Sequence, residues 1–308
     1  LTALGPDVTV HVLCPGVADF DDLKARVGKV QCALNPVFVD HPMTAWARDR
    51  WFALQLSHRG GQRITLVSPQ GELGAESWPE RKGDEQSGED LARALGESVV
   101  ALRSDLYFDG GDIVADSETA FVTPSVLQRN LGQSVQTREE LVQRLTRLTG
   151  RRVLLMTDAP DHHACMFMMP VGNRTVIVAD PRGAQRLLTP EQAAALPLPG
   201  GADFSETTCA RFDSVAEQCA KEGYTVVRMP LAPAPDGRTF LAGLNAILDQ
   251  RNGKRTVYMP VFDDADVINQ SSTKVWQDLG YEVRPVNCTS SYRLFGSLRC
   301  LVNVLRRG

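Results

Sequence analysis

Cys300 lies in GSLRC, directly after Arg299, inside the apolar run LRCLVNVL near the end of a 308-residue chain. A cysteine in such a run is either buried filler, the common state of a free thiol, or a nucleophile whose thiolate is favoured by the adjacent positive charge. Three other clusters could supply partners. In TAWARDRWFAL, Asp49 sits among arginines and aromatics; in YFDGGDIV, Asp109 and Asp112 bracket two glycines; DHHACMFMM holds His162 and His163, two of only five histidines. Each has a plain structural account: Asp49 as a surface carboxylate beside Arg48 or Arg50, DGGD as a tight turn, the histidines as satisfied polar groups at a strand start. Together they suit one chemistry. A guanidinium is planar, permanently charged and rimmed with N–H donors, so its site needs carboxylates placed for paired hydrogen bonds, which Asp49 and Asp109 can provide. Attack on its central carbon needs a soft, strong nucleophile, and the departing amine needs a proton from a group titrating near neutrality. Cysteine and histidine fill those roles, and paired glycines beside Asp109 would let a substrate lie against bare backbone.

The elements that must position these residues alternate in type. Short β-type runs (VTVHVL, RITLVS, ETAFVTP, MFMMPVG, RTVIVAD, YTVVRMP, RTVYMP, YEVRPVN) are separated by helical stretches near Arg138 to Leu148, Arg211 to Glu222 and Ser272 to Leu279, the last closed by Gly280. This is an α/β pattern. The run after Arg299 reads as a mostly buried strand that begins beside Cys300. On a strand, Asp161, His163 and Cys165 would share one face. GELGAESWPERKGDEQSGED and LPLPGGADFSE read as surface loops, and PLAPAPDGR as a lid or an edge connection. Clusters of β-type residues near 8–57, 63–123, 152–180, 224–262 and 281–305 suggest about five related units.

Composition narrows the function classes. The chain is 43% hydrophobic and 23% charged, with no apolar run near the ~20 residues that span a bilayer, so a membrane role is not expected. Thirty-three basic against thirty-seven acidic residues give a net charge of −4 without a Lys/Arg-rich run, which lacks a nucleic-acid footprint and favours cationic partners. Seven cysteines form no CxxC pair, which suggests reduced thiols and a cytoplasmic location. The start at Leu1 makes the chain a candidate fragment of a longer protein.

The order of motifs (WARD at 46–49, DGGD at 109–112, HHAC at 162–165, GSLRC at 296–300) resembles the guanidino-group-modifying, or pentein, superfamily. This superfamily includes arginine, agmatine and protein-arginine deiminases, dimethylarginine hydrolases and amidinotransferases. LRC resembles the arginine-deiminase form of the cysteine motif, and Cys300, Asn303, Val304 and Arg306 resemble the C-x-x-N-V-x-R of protein-arginine deiminases. The resemblance implies a five-bladed α/β propeller of ββαβ units with pseudo-fivefold symmetry, formed by residues 1–308 as a single catalytic domain. It also implies Cys300 as nucleophile, His163 as general acid and base, and Asp49 and Asp109 as guanidinium ligands; Trp46, Arg48, Asp112 and Arg299 join the substrate site through the same motifs. The chain has no room for the helical insertion of arginine deiminases. It also departs from the pattern at one position, since most deiminases carry a guanidinium-binding aspartate two residues after the histidine and this chain has Cys165. Counting from His162 instead gives Ala164, and Asp161 is the nearest carboxylate to compensate.

The expected activity is therefore a Cys-dependent guanidine hydrolase giving a ureido product such as citrulline from arginine, agmatine, a methylarginine or peptidyl-arginine. No metal or cofactor is required. Asp263, Asp264 and Asp266 lack the spacing of a calcium loop, although scattered calcium sites like those of protein-arginine deiminases stay open. Alternatives are an amidinotransferase, a catalytically silent pentein used for binding, and a zinc site from His162, His163, Cys165 and a distant cysteine, whose HHxC spacing is not a usual structural-zinc pattern.

Overall fold

A computed structural model describes residues 1–58, 61–73, 78–251 and 253–306. They group into two compact units, Leu1–Tyr107 with Val304–Arg306, and Phe108–Asn303.

In the first unit, strands Thr9–Cys14 and Ala33–Phe38 pair in parallel across the helix Val17–Val27. Strands Phe52–His58 and Gly61–Ser68 then form an antiparallel pair, and the helix Ser87–Leu95 returns the chain so that Val99–Arg103 runs parallel to Gly61–Ser68. Val37, Trp51, Leu66, Leu91 and Val99 form the core, with Leu305 packed against it.

The second unit repeats the same pattern three times. Ile113–Ala115 pairs antiparallel with Thr119–Val122, and the helices Pro124–Asn130 and Arg138–Thr149 lead to the parallel strand Arg152–Leu155. Met168–Gly172 and Thr175–Asp180 are followed, through Glu206–Lys221, by Thr225–Pro230. Ile247–Arg251 and Lys254–Val261 are followed, through Asp266–Asp278, by Glu282–Asn287. In each three-stranded sheet the second strand is central. The central strands TAFV, TVIVAD and KRTVYMPV are buried along most of their length, which is why they read as nearly continuous apolar runs rather than as an alternation. The described residues thus hold four ββαβ units and one βαβ unit.

The number of units agrees with the sequence reading, and their boundaries do not, because each hairpin belongs with the strand that follows its helix. PLAPAPDGR is an edge connection, with Ala232–Pro233 pairing with Phe240–Leu241 and a turn held by Asp236, whose carboxylate accepts from the amides of Arg238 and Thr239 at 2.8 Å. LPLPGGADFSE is more than a surface loop, since Leu196 and Leu198 are buried in the core beside Phe262 and Tyr292. In GELGAESWPERKGDEQSGED, residues 74–77 lie outside the described residues, and the remainder forms short 3-10 turns and the start of the helix Ser87–Leu95.

Two expectations near the candidate site are corrected. The run after Arg299 is not a strand: Leu298–Leu301 is a 3-10 turn. Its amides at Arg299 and Cys300 are taken by the side-chain oxygen of Asn245, at 2.8 and 3.3 Å, and by the carbonyls of Asn245 and Ser297, at 3.2 and 3.1 Å, rather than by a neighbouring strand. Residues 161–163 are not a strand either. His163 caps the one-turn helix Ala164–Phe167, and the strand begins only at Met168, so Asp161, His163 and Cys165 do not share a strand face. Asp161 is exposed, while Cys165 is fully buried.

Candidate active site

The DGGD segment folds as a 3-10 turn at the start of strand Ile113–Ala115. The Asp109 amide donates to Asp112 Oδ2 at 2.8 Å, while the hydroxyls of Thr123 and Ser125 each donate to Asp112 Oδ1 at 3.1 Å. Asp112 is buried, and its carboxylate anchors the turn. Arg129, from the helix Pro124–Asn130, spans both acids, donating through Nη1 to Asp109 Oδ2 at 2.8 Å and through Nη2 to Asp112 Oδ2. Burial alone would loosen the Arg129 proton, but the facing carboxylates of Asp112 and Asp109 outweigh it, and the guanidinium holds its charge more firmly than a free one.

His163 Nε2 lies 3.3 Å from the same Asp109 oxygen. Asp109 therefore carries its charge between an internal guanidinium and an imidazole. The ring lies against Gly111, where a Cβ would stand 2.7 Å from Nδ1 and 2.8 Å from Cγ. Glycine here makes room for the histidine, a use of the paired glycines distinct from the substrate clearance anticipated above.

His162 is held differently. Its Nδ1 accepts the His163 amide at 2.8 Å, and its ring packs on Phe240 with centroids 5.3 Å apart. Burial, reinforced by repulsion from His163, lowers its pKa from 6.5 to about 3. His162 is thus neutral at physiological pH and poorly matched to proton transfer there. The ligand atoms of His162, His163 and Cys165 do not gather into one group, so the zinc alternative has no geometric support among the described residues.

Cys300 is 3% exposed. Its Sγ lies 3.6 Å from Met166 Sδ and 3.5 Å from Asn245 Oδ1. Asn245 Nδ2 in turn donates to the Cys165 carbonyl at 3.1 Å and contacts Cys165 Sγ at 3.4 Å. Arg299 extends from the same turn to Met169, with Nη1 3.6 Å from Sδ. The one-turn helix that His163 begins therefore meets Cys300 directly at Met166 and, through Asn245, is joined at Cys165 to the Cys300 turn. The sequence reading missed two residues of this arrangement. Arg129 has only its place in the LQRN that follows DGGD to mark it, whereas Asn245 is a lone amide in the apolar stretch LAGLNAIL, a type that must find partners if buried.

Trp46, Arg48 and Asp49 belong to the first unit. The Asp49 amide donates to the Trp46 carbonyl at 3.1 Å, Trp46 is partly exposed, and Arg48, Asp49 and Arg50 are all buried. Asp49 is thus not the surface carboxylate of the plain account. Asp84 ties the loop down, accepting from the Thr44 amide at 2.8 Å and hydroxyl at 2.6 Å and facing Arg50 Nε at 3.4 Å. His41 adds a second tie to Asp90 at 2.7 Å.

No protein-family model and no curated protein matches the chain. Solved structures do. The agmatine deiminase of C. jejuni aligns over 97% of this chain and 82% of its own, at 14% identity and a TM-score of 0.61. A variant of that enzyme with substrate bound gives 97% and 83% coverage, 13% identity and a TM-score of 0.65. The agmatine deiminase of Enterococcus faecalis aligns over 94% of this chain and 81% of its own, at 12% identity and a TM-score of 0.60. With its repeated ββαβ units and these structural neighbours, the chain shares the α/β fold of the agmatine deiminases of known structure.

Proposed function

We propose that the protein is a Cys-dependent hydrolase of a small guanidinium compound, of the deiminase type, with its five units closed as a five-bladed propeller forming one catalytic domain. The observation that carries this reading is that the helical turn begun by His163 places Met166 against Cys300 and is tied at Cys165, through Asn245, to the Cys300 turn, while His163 itself meets Asp109. A thiol, an imidazole and its carboxylate partner thereby come from three short turns joined through one helical turn, in a fold shared with agmatine deiminases.

In this reading the Cys300 thiolate attacks the guanidinium carbon. Protonated His163, its charge favoured by Asp109, gives a proton to the departing amine as the C–N bond breaks, leaving a thiouronium on Cys300. His163, now neutral, takes a proton from water as the oxygen attacks the same carbon. The C–S bond then breaks as the hydroxyl proton of the adduct passes to the released amine or solvent, and the ureido product leaves with the thiolate restored and His163 protonated. Asp109 orients the substrate nitrogens, Asp112 and Arg129 hold Asp109 in place, and Arg299 flanks the thiol. Asp49, Arg48 and Trp46 join the substrate site on their motif alone.

The test is a colorimetric ureido assay with arginine, agmatine, a methylarginine and a peptidyl-arginine. One or more should yield product, and Cys300→Ser and His163→Ala should abolish it. Absence of ureido product from the whole panel, or full turnover by Cys300→Ser, would overturn the reading.

A further inference from the structure

We infer that Asn245 is a positioning residue for the nucleophile, an inference that rests on the reading of Cys300 as the attacking thiol. Asn245 is 1% exposed, and both ends of its amide are occupied. Oδ1 accepts from the Arg299 amide at 2.8 Å, the Ser297 hydroxyl at 2.9 Å and the Cys300 amide at 3.3 Å, with the thiol at 3.5 Å. Nδ2 donates to the Cys165 carbonyl at 3.1 Å. Backbone amides can only donate and a carbonyl can only accept, so the partners fix which end of the amide faces which segment. One side chain thus joins the turn bearing Cys300 to the helical turn that His163 begins.

Asn245 is itself rigidly held. The indole of Trp276 donates to the Gly243 carbonyl at 2.9 Å, and a Cβ at Gly243 would stand 2.6 Å from Ser272 Cβ and 2.9 Å from Met259 Sδ. The turn before Asn245 therefore sits as close to the helix Asp266–Asp278 as a glycine allows. An acceptor beside a thiol favours S–H over the thiolate, against the pull of the neighbouring Arg299 charge, so Asn245 both aims Cys300 and bears on its ionisation.

The experiment uses two variants and two readouts. In Asn245→Ala the Cys300 turn loses the side-chain oxygen that gathers Ser297, Arg299 and Cys300 and keeps only the 3.2 Å bond of the Arg299 amide to the backbone carbonyl at 245. The kcat should fall at least about tenfold while KM stays within about threefold, the pattern of a displaced reacting group rather than weakened binding. Asn245→Asp keeps the shape and Oδ1 but replaces the donor with an acid. There the pH midpoint for alkylation of Cys300 by iodoacetamide, followed by mass spectrometry, should rise by about one unit or more as the carboxyl group whose Oδ1 faces the thiol gains negative charge. A purely structural residue would move the melting temperature and leave that midpoint unchanged. Should Asn245→Ala fail to fold, the near-isosteric Asn245→Asp decides alone. Wild-type values of kcat and of the alkylation midpoint in the folded variants would overturn the inference. Failure of the underlying reading looks different: wild-type Cys300 would resist iodoacetamide and 2-chloroacetamidine, or Cys300→Ser would still turn over.

Discussion

Gly111→Ala isolates the contact between the DGGD turn and His163. The new Cβ would lie 2.7 Å from His163 Nδ1, 2.8 Å from Cγ and 3.1 Å from Cβ, against ordinary contact from 3.4 Å, so something must give by about 0.7 Å. Neither side gives easily. The clash reaches the base of the histidine, whose amide is bonded to His162 and whose carbonyl accepts the Met166 amide at 3.0 Å. The turn is held by Arg129 and by three donors on Asp112. Gly111 does not have positive φ, so alanine adds no backbone strain. Overpacking costs about 1–3 kcal/mol, of which about 0.4–1 kcal/mol is offset by the lower entropy of the unfolded chain. The stability loss is thus modest, whereas displacement of a reacting group by nearly 1 Å can cost on the order of 100-fold in rate. The ureido assay should show kcat reduced by about 10- to 100-fold, with iodoacetamide labelling of Cys300 retained. Turnover within about threefold of wild type, with an unchanged His163 titration by NMR, would refute the reasoning.

Arg129→Met leaves Asp109 and Asp112 facing each other without their shared cation. Because Asp112 keeps three other donors, the stability loss should sit at the lower end for a broken buried pair, about 3 kcal/mol by urea denaturation, and a loss below about 1 kcal/mol would show the pair to be dispensable. His162 gives a pH signature. With its folded pKa depressed to about 3, the unfolded chain takes up a proton that the folded one refuses, so stability is intact above about pH 6.5 and falls toward pH 3 by up to about 1.4 kcal/mol per unit. Replacing it by His162→Asn, which keeps an acceptor for the His163 amide, should flatten that acid limb in urea melts at pH 7 and pH 5; equal slopes would contradict the burial argument. Cys165→Asp restores a carboxylate two residues after His163, next to the donor Nδ2 of Asn245. It should raise turnover of unsubstituted guanidines relative to N-alkylated ones, and an unchanged ratio would mean that this position does not read the substrate nitrogen.

The sequence by itself was enough for the α/β class, the number of repeated units and the four motifs. These signals are local: burial of the central strands on both faces leaves runs such as TVIVA, and the motif residues are separated by only one or two positions. It mistook the segments around His163 and Cys300 for strands, because apolar runs of that length look alike whether their amides face a neighbouring strand or a side chain. Only the tertiary structure decided where those amides go. Asn245 reaches Cys165 across 80 positions and Cys300 across 55, and Arg129 reaches back 20 positions to Asp109. No periodicity records such pairings, since a hydrogen bond between distant residues fixes a position in space and leaves no repeat along the chain. Burial likewise separated the two adjacent histidines: one ring is enclosed and loses its proton, the other meets a carboxylate across a glycine, and that difference comes from the surrounding packing, not from the HH dipeptide.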